Sequence, residues 1–449
     1  MADQKISQLS SGAPAQAGDE YVVARSGANY KLTGSNVAAL VAGTANTFSA
    51  TQTFSNPVEF ADGSASAPAV TNTGDTNTGV YFPAADEMAV TTGGTVAAAF
   101  NSNGIFFRNR IINGDMRIAQ RGTAAVTTSN AFPVDRFRIP NGTDGAFSAQ
   151  QDSSAPTGFI NSLKYTVTTA DTNLTTVQTT GIVHPIEGTN IADFGWGTAN
   201  ARTVTLSFWV RSSLTGTFSG SLRNGNVTRS YPFTYSISVA DTWEYKTVII
   251  TGDTSGTWTT DTSAGLYIFF SCGGGPDTTG TAGSWASANY STATGTVSVI
   301  GTLNATFYVT GVQLETGSVA TPFERRPYGT ELMLCQRYYY RAFPGAVTKL
   351  LGTTGYVSSA TSYRALGNFP VPMRVAPSAL ETTGTANQYQ IVTGVSAFTP
   401  TALAHAGLTT DMYWMVDVTS SGMTSADAGH FRTDSTNGVT AYLGWSAEL

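Results

Sequence analysis

An aromatic spacing near the start of the chain most constrains what the protein can fold into. In the segment TFSATQTFSNPVEF, the rings of Phe48, Phe54 and Phe60 recur at every sixth residue. An even spacing keeps all three rings on one face of an extended strand. A single strand cannot bury such a face, and an isolated two-stranded ribbon is only marginally stable in water.

The simplest way to cover this aromatic face is to share it between identical chains around an axis. We therefore predict a homotrimer, because three strands can close around one apolar line without leaving a pore. The alternative is that the segment folds back onto a neighbouring domain of its own chain.

The composition of the chain favours strands over helices. Only 12% of the 449 residues are charged, against about 25% in an ordinary globular protein, and 47 residues are glycine. Threonine, which favours strands, is frequent, whereas the strong helix formers lysine, glutamate and arginine are scarce. We expect an all-β fold: a segmented N-terminal β shaft, a jelly-roll β-sandwich and a smaller C-terminal β-sandwich.

Hydrophobic patterning divides the chain into five segments. In VTLSFWVRSS, Phe208 and its apolar neighbours face one way and Trp209 the other, which predicts a half-buried antiparallel strand. A helix predicted over residues 331–341 would place Cys335 and Tyr339 on one side. The predicted segments are an N-terminal segment at 1–45, a β shaft and meander at 46–107, the jelly-roll sandwich at 108–328, a helical connector at 329–341 and a C-terminal β-domain at 342–449.

The net charge of -6 and the pI near 5.1 disfavour nucleic acid and anionic lipid as partners. The N-terminus, MADQKISQLS, has no apolar core of the length a secretion signal needs, and no run of about 18 apolar residues occurs. We expect a protein made in the cytoplasm without membrane insertion. Cys272 and Cys335 stand far apart, which favours buried, inert thiols over a disulfide.

The residues that could carry catalysis form no recognisable pattern. The sequence contains no H-E-x-x-H, G-x-S-x-G or phosphate-loop motif. Paired carboxylates for glycoside cleavage share no local motif, so acidic residues on loops stay candidates, with simple solvation as the alternative. The isolated histidines are His184, His405 and His430, and the candidate carboxylates are Glu187, Asp193, Glu244 and Asp261. We expect a protein that is not an enzyme.

Tryptophans are the best candidates for a ligand site. Sugar rings present apolar C–H faces that stack on aromatic rings, while nearby polar side chains hydrogen-bond the sugar hydroxyls. Loop tryptophans could serve in this way or could pack over the edge of the sandwich, whereas Trp209 and Trp243 lie in predicted strands as core or sheet-face residues. The glycan-binding candidates are Trp196, Trp258, Trp285 and Trp414.

A structural calcium ion is the one cofactor that the sequence suggests. Asn113, Asp115 and Glu315 lie at the start and end of the predicted sandwich, where first and last strands often meet, and their oxygens could bind Ca²⁺. The alternative is an N-terminal turn and a surface glutamate.

Arginines are concentrated in one part of the chain. In an acidic protein they predict pairing with carboxylates between chains or between domains, and an anion site is the alternative. The arginines concerned are Arg108, Arg110, Arg117, Arg121, Arg136 and Arg138.

Several phrases of the sequence resemble bacteriophage tail-fibre proteins. KISQLSSGAPAQAGDEYVVARSGANYKLT resembles their N-terminal segment, and GDTNTGVYFPAADEMAVTTGG resembles their shaft repeats. NRIINGDMRIAQRGT, VTLSFWVRSS and VTGVQLETGSVATPFERRPYGTELMLCQRYYYR resemble a jelly-roll domain of phage and prophage fibres that is similar to carbohydrate-binding modules. These phrases are distributed over most of the length of the first 341 residues, whereas NFPVPMR and the terminal GWSAEL match loosely.

The resemblance implies a homotrimeric component of the virion, synthesised in the cytoplasm of the bacterial host. Its residues 1–45 would attach to a tail or baseplate protein, and its distal β-domains would bind a glycan of the host surface. A capsid-attached or purely structural fibre and a polysaccharide-depolymerising tailspike are the alternatives.

Overall fold

A computed structural model describes residues 20–25, 28–33, 57–100, 108–343, 345–351, 354–394, 396–437 and 440–449. The chain divides into two compact units, Met1–Phe60 and Ala61–Leu449. In the first unit, β1 (Glu20–Arg25) pairs with β2 (Ala28–Thr33) in an antiparallel hairpin. Phe60 is 52% exposed. Phe48 and Phe54 lie outside the described residues, so the homotrimer stays a prediction.

A four-stranded antiparallel meander opens the second unit. Its strands pair in sequence order, as expected where short apolar pieces alternate with glycine-containing turns. The Glu87 carboxylate accepts hydrogen bonds from the backbone N–H of Ser318 (3.1 Å) and from its hydroxyl (2.7 Å), so the meander contacts the next domain. The strands are β3 (Val70–Asn72), β4 (Asp75–Tyr81), β5 (Met88–Thr92) and β6 (Thr95–Phe100).

The largest domain is a β-sandwich of a five-stranded and a six-stranded sheet. The five-stranded order is β15-β12-β19-β10-β9, and the six-stranded order is β14-β13-β16-β11-β8-β7. A short parallel pair, β17 with β18, lies outside both sheets. The strands are β7 (Ala131–Val134), β8 (Phe137–Ile139), β9 (Ala146–Asp152), β10 (Ser162–Thr169), β11 (Thr179–Glu187), β12 (Val204–Ser212), β13 (Gly216–Asn224), β14 (Ser230–Ile237), β15 (Glu244–Ile250), β16 (Ala264–Gly274), β17 (Thr279–Gly280), β18 (Thr292–Ala293) and β19 (Thr306–Thr316).

The core of the sandwich follows from the alternation in its strands. Leu206 and Phe208 of β12 are fully buried, whereas Trp209 between its buried neighbours faces outward and is half-buried. Phe208 meets Phe270 of the opposite sheet edge-on, with ring centroids 5.0 Å apart. The prediction of an all-β fold is confirmed.

The predicted helix is shorter than expected. Helix α1 spans Tyr328–Gln336, and the chain then enters β20 (Tyr339–Ala342), so the prediction of a helix up to residue 341 is wrong. Tyr339 lies opposite Ser446 of the last strand, because the backbone groups that would continue the helix pair with that strand instead. Short 3-10 turns occur at Gly188–Asn190, Ala192–Phe194, Pro276–Thr278 and Ala386–Gln388.

A second, smaller β-domain completes the chain. Its seven-stranded sheet has the order β25-β24-β28-β21-β22-β27-β26, and its three-stranded sheet has the order β20-β29-β23. Trp414 and Trp445, one from each sheet, stack with centroids 4.6 Å apart in the core. The remaining strands are β21 (Thr354–Ser359), β22 (Ser362–Asn368), β23 (Glu381–Thr382), β24 (Tyr389–Thr393), β25 (Ser396–Phe398), β26 (Ala402–His405), β27 (Tyr413–Thr419), β28 (Ala428–Thr433) and β29 (Leu443–Ser446).

Both cysteines are buried and free, as predicted. Burial raises the pKa of the Cys272 and Cys335 thiols, which keeps them protonated and unreactive. Within the described part of the chain, no helix combines the length and apolar character that crossing a bilayer requires.

Candidate functional site

Three of the four candidate tryptophans form one cluster at an edge of the sandwich. The ring of Trp196 lies 4.7 Å from that of Trp258 and 5.3 Å from that of Trp285, in both cases edge-on. Trp196 is only 6% exposed, and the other two rings are half-buried against the core. The cluster therefore packs over the sandwich edge, which is the alternative to ligand stacking for these residues.

The indole N–H groups of this cluster are all used inside the protein. Trp196 donates to the carbonyl of Arg202 (2.7 Å), and Trp285 donates to that of Thr251 (2.7 Å). Trp258 donates to the nearby carbonyl of Ser255 at 3.3 Å. The bonds of Trp196 and Trp258 each close a turn within one loop, whereas the bond of Trp285 joins its loop to the residue that follows β15.

Trp414 is wrong as a glycan-binding candidate. Its side chain is 2% exposed and stacks on Trp445, so it has no face open to a ligand. Gly367 opposite it leaves the space that the ring fills, since a Cβ on this glycine would lie 2.2 Å from the indole. The strand alternation that placed Trp414 could not tell which face of the strand is covered.

An aromatic groove lies on the outer face of the five-stranded sheet. Trp209 of β12 and Tyr245 of β15 are cross-strand partners with ring centroids 5.4 Å apart, and Tyr245 is 44% exposed. Phe159 and Phe323 form a second, edge-on pair at 5.2 Å. The groove has a volume of about 540 Å³, and Thr95 and Val96 of the meander line it from the other side.

Gly311 allows the two aromatic pairs to meet. In β19, Gly311 and the next residue together oppose Phe208, because Trp209 pairs with Thr310 and Ser207 pairs with Gln313. Gly311 has a φ of +62°, the left-handed conformation typical of such a bulge. A Cβ at this position would lie 2.8 Å from the Phe159 ring and 3.1 Å from the Trp209 ring.

The rim of the groove carries a positive charge. The guanidinium of Arg325 lies over Phe159, with Cζ 4.6 Å from the ring centroid, and donates to the carbonyl of Gly158 at 2.5 Å. Thr157 and Ser207 also line the groove, although Ser207 is only 2% exposed and its side chain is hydrogen-bonded to Tyr245. A floor of aromatic rings with a few hydroxyls and one cation is suited to a ligand that has both apolar faces and hydroxyl groups.

The predicted calcium ligands have protein partners instead. The Asn113 side-chain oxygen accepts from the N–H of Ile118 (2.9 Å), and Asp115 pairs with Arg117. Glu315 accepts from the Thr321 hydroxyl (2.7 Å) and backbone N–H (2.9 Å). Burial raises the pKa of both Asp115 and Glu315.

Asn113 and Asp115 therefore stabilise a turn, and Glu315 connects strand β19 to the loop that contains Thr321. Among the described residues, no group of three or more His, Cys, Asp or Glu side chains could hold a metal ion. The structure therefore gives the calcium prediction no support.

The candidate catalytic carboxylates are all held by partners of their own. Glu187 accepts from Arg337 (2.6 Å) and from the Tyr338 hydroxyl (2.7 Å). Burial alone would raise the pKa of Glu187, but these donors outweigh it and lower that pKa. The others are paired as follows: Asp193 with Arg110, Glu244 with Lys246, and Asp261 with the N–H of Ser263.

The histidines are not arranged as a catalytic group. His184 lies in the core against Phe137, and its Nε2 is 3.0 Å from the carbonyl of Ile112. Burial lowers the pKa of His184 well below its ordinary value, so the ring is neutral. His405 and His430 lie on β26 and β28 of the C-terminal domain.

The arginine-rich segment pairs with a carboxylate of the C-terminal domain, which confirms the prediction of pairing between domains. Arg121 and Arg136 both pair with Glu448, near the C-terminus. Within the sandwich, Arg110 pairs with Asp193. Arg138 is an exception, because among the described residues it has no carboxylate partner, and its Cζ lies 5.8 Å from the centroid of the Tyr267 ring.

Sequence reasoning missed most of the groove. The alternation in VTLSFWVRSS places Trp209 on the face opposite Phe208. That β15 pairs directly with β12, and so sets Tyr245 beside Trp209, depends on strand order. Phe159 and Phe323 come from loops that four of the five strands of this sheet separate in sequence, and no local pattern links them.

Comparisons with known proteins gave structural similarities only. No family model and no curated protein matches the sequence. The enzymatically active domain of a bacteriophage CBA120 tailspike protein aligns at 13% identity with a TM-score of 0.26, over 46% of this chain and 21% of that one. The chain thus spans about a fifth of that tailspike structure.

Two further solved structures are similar to one part of the chain. A putative sugar binding protein from Bacteroides thetaiotaomicron has 13% identity and a TM-score of 0.29, covering 47% of this chain and 100% of that one. A family 11 carbohydrate-binding module of a Clostridium thermocellum cellulase has 15% identity and a TM-score of 0.22, covering 44% and 96%. At these TM-scores the alignments assign no function to this chain.

Proposed function

We propose that the protein is a tail fibre of a phage virion that binds a host-surface glycan in the groove of its sandwich. The observation that carries the glycan part is the half-exposed pair of Trp209 and Tyr245 on the sheet face. A sugar ring laid on this pair would bury its apolar face against the two aromatic rings. Thr157 and Arg325, which also line the groove, would supply polar groups for the sugar hydroxyls.

A binder fits the groove better than a depolymerase. A glycosidase needs two carboxylates on opposite sides of the bond it cleaves. The candidate carboxylates Glu187, Asp193, Glu244 and Asp261 are each held by a hydrogen-bonded partner, as an ion pair or at a turn. We therefore propose adhesion without hydrolysis.

The fibre role rests on the resemblance of the N-terminal and shaft phrases and on the ring spacing that predicts three chains. Residues 1–45 would attach to a tail or baseplate protein, and three copies would present three grooves to one cell surface. Weak binding at each groove would then be strengthened by effective concentration.

The test of glycan binding is the variant Trp209→Ala. Removing one stacking ring should weaken binding to host polysaccharide about tenfold or more, since stacking and burial together contribute more than about 1.4 kcal/mol. Trp243→Ala is the matched control, because Trp243 contacts Tyr308 (6.0 Å) and does not line the groove. Isothermal titration calorimetry on the full-length protein measures both.

Adsorption experiments test the biological role. The purified protein should bind host cells and compete with virion adsorption. If it does neither, adhesion is excluded and a purely architectural fibre remains. Shortening of host polysaccharide by the purified protein would instead establish a depolymerase.

A further inference from the structure

The outer face of the six-stranded sheet carries two arginines from non-adjacent strands. Arg138 of β8 and Arg223 of β13 point away from the core, because their strand neighbours Phe137 and Leu222 point into it. Strands β11 and β16 lie between β8 and β13. The two arginines therefore approach the middle of the sheet from opposite sides.

Their guanidinium groups converge over one strand. In the register of the sheet, Arg223 lies directly opposite Tyr267, and Arg138 lies in line with Phe269 through Val183. Each side chain nevertheless reaches the other ring: Arg223 Cζ is 4.8 Å from the Phe269 centroid, and Arg138 Cζ is 5.8 Å from the Tyr267 centroid. The two cations cross the same short stretch of β16.

Within the described chain, neither arginine forms an ion pair with a carboxylate. Arg223 has one hydrogen bond, from Nη1 to the Asn289 side-chain oxygen at 3.1 Å. The Nε atoms of both arginines are buried without a partner there, whereas Nη1 and Nη2 of Arg138 and Nη2 of Arg223 are not fully buried. Among the described residues, these three terminal nitrogens have no hydrogen-bond partner.

The two positive charges of Arg138 and Arg223 have no carboxylate to balance them among the described residues. Burial lowers the pKa of Arg223 to about 10, and the charge of Arg138 acts in the same direction, opposed by Tyr267. The Ser221 hydroxyl, which faces the same side of β13, is also buried without a hydrogen-bond partner among the described residues. An anion between the two guanidiniums would relieve their repulsion and accept their free N–H groups.

Other segments of the chain lie near both ends of the strip, by which we mean the stretch of β16 from Tyr267 to Phe269 that the two arginines cross. At one end of the strip, Arg136 donates to the carbonyl of Pro185 (2.7 Å) and Arg374 donates to that of Thr262 (2.9 Å), which brings the C-terminal domain against the sheet. At the other end, Ser219 is hydrogen-bonded to Thr292 (2.7 Å). A ligand bound by the two arginines would have to fit beside these segments.

We propose that this strip is a second ligand site, at which Arg138 and Arg223 bind the anionic group of a glycan, either a sugar carboxylate or a sugar phosphate. The planar fork of arginine matches both groups through paired N–H···O hydrogen bonds. The site lies on the other sheet from the groove, so it can exist whether or not the groove binds sugar.

The experiment measures binding of defined probes to the full-length protein by calorimetry at low and physiological ionic strength. The probes are tetragalacturonate for the carboxylate, glucose 6-phosphate for the phosphate, and maltotetraose as the neutral sugar. We expect wild-type protein to bind at least one anionic probe at this site, more weakly as salt is raised. Whichever probe binds identifies the source of the anion.

Single substitutions assign the binding to the strip. Arg138→Gln and Arg223→Gln should each weaken anion binding about tenfold or more, because each removes charge-assisted hydrogen bonds to the anion. Arg364→Gln is the matched control, since Arg364 lies on a sheet face of the C-terminal domain and is paired with Asp417 (3.1 Å). It should leave anion binding unchanged, as should Trp209→Ala, which separates this site from the groove.

Folding of the variants is checked by thermal unfolding. Because neither guanidinium has a carboxylate partner among the described residues, Arg138→Gln and Arg223→Gln should leave the protein folded, although Arg223→Gln loses the hydrogen bond to Asn289 and the contact with the Phe269 ring. Arg223→Lys, which keeps the charge but loses the fork, should bind the anion more weakly than wild type and more tightly than Arg223→Gln. The proposal is overturned if neither anion binds wild-type protein or if both Gln variants bind normally. It is also overturned if those variants change the oligomeric mass without sugar, since the strip would then pair with a second copy.

Discussion

Gly311 is the residue on which the geometry of the groove most depends. Its left-handed backbone and missing Cβ let Phe159 and Trp209 approach each other across a β-bulge. We predict that Gly311→Ala lowers the free energy of unfolding by about 2 kcal/mol, because the new methyl group meets both rings and the positive φ is strained. Chemical denaturation measures this loss of stability, and glycan titration measures the effect of the substitution on glycan binding.

The control for this prediction is Gly295→Ala. Gly295 also has a positive φ (+77°), but no heavy atom lies within 4 Å of the Cβ that alanine would add. This variant should lose only about 1 kcal/mol from backbone strain and should keep glycan binding. Equal losses in the two variants would show that the ring contacts at Gly311 have no energetic weight.

The buried side chain of Asp135 predicts an unusual pH dependence of the free energy of unfolding. The Asp135 carboxylate accepts hydrogen bonds from the backbone N–H of Gln120 (2.9 Å) and from the side-chain amide of Gln120 (2.5 Å). Burial raises the pKa of Asp135 from 3.8 to about 6, with Glu448 acting in the same direction and Gln120 and Arg121 opposing. Between about pH 4 and 6 the folded state therefore binds a proton that the unfolded state has lost, so this group makes stability fall as pH rises.

The variant Asp135→Asn tests this dependence. Its unfolding free energy should lack the decrease between about pH 4 and 6, a difference from wild type on the order of 2 kcal/mol across that range. Urea unfolding at a series of pH values measures it. Parallel curves for the two proteins would mean that Asp135 titrates alike in the folded and unfolded states.

At the scale of elements, the junction between the two β-domains is made by the last residues of the chain. Strand β29 is the central strand of the three-stranded sheet, and Glu448 beyond it pairs with Arg121 and Arg136 of the sandwich. Arg374 adds hydrogen bonds to the carbonyls of Ala447 (2.7 Å) and Glu448 (3.0 Å). The C-terminal segment therefore holds charged groups of both domains in one network.

We predict that Glu448→Ala destabilises the protein by about 3 kcal/mol or more. The Arg136 side chain is 1% exposed, so removing the Glu448 carboxylate leaves a buried guanidinium without its anionic partner, and the carbonyl of Pro185 replaces that partner only in part. Asp241→Ala is the control, because Asp241 is 59% exposed and its pair with Arg211 (3.3 Å) contributes about 1 kcal/mol at most. Differential scanning calorimetry would refute the prediction if both variants unfolded at the same temperature.

At the scale of the whole molecule, the predicted trimer determines how strongly the protein would adhere. Sedimentation equilibrium at micromolar concentration should give three times the chain mass of 46.9 kDa. Replacing Phe48, Phe54 and Phe60 together by Ser should give the single-chain mass, because the shared aromatic face is lost. A wild-type monomer would refute the trimer, and an unchanged mass in the triple variant would place the interface elsewhere.

The sequence by itself determined the β class of the fold and the two faces of its strands. The alternation in β12 put Phe208 inward and Trp209 outward, and the structure agrees. Such patterns are local, because successive side chains of an extended chain point to opposite sides whatever packs on them. The burial of both thiols could also be inferred, since they are apolar and unpaired.

Only the tertiary structure decided which outward rings stay exposed and which of them meet. Trp414 and Trp209 both lie in alternating strands, yet the C-terminal three-stranded sheet covers the first, while the second is left in a groove. Helix α1 ends at Gln336 because the final strand takes up the backbone that follows. In each case the outcome depends on a partner segment distant in sequence, and a pattern within one segment has no means of specifying that partner.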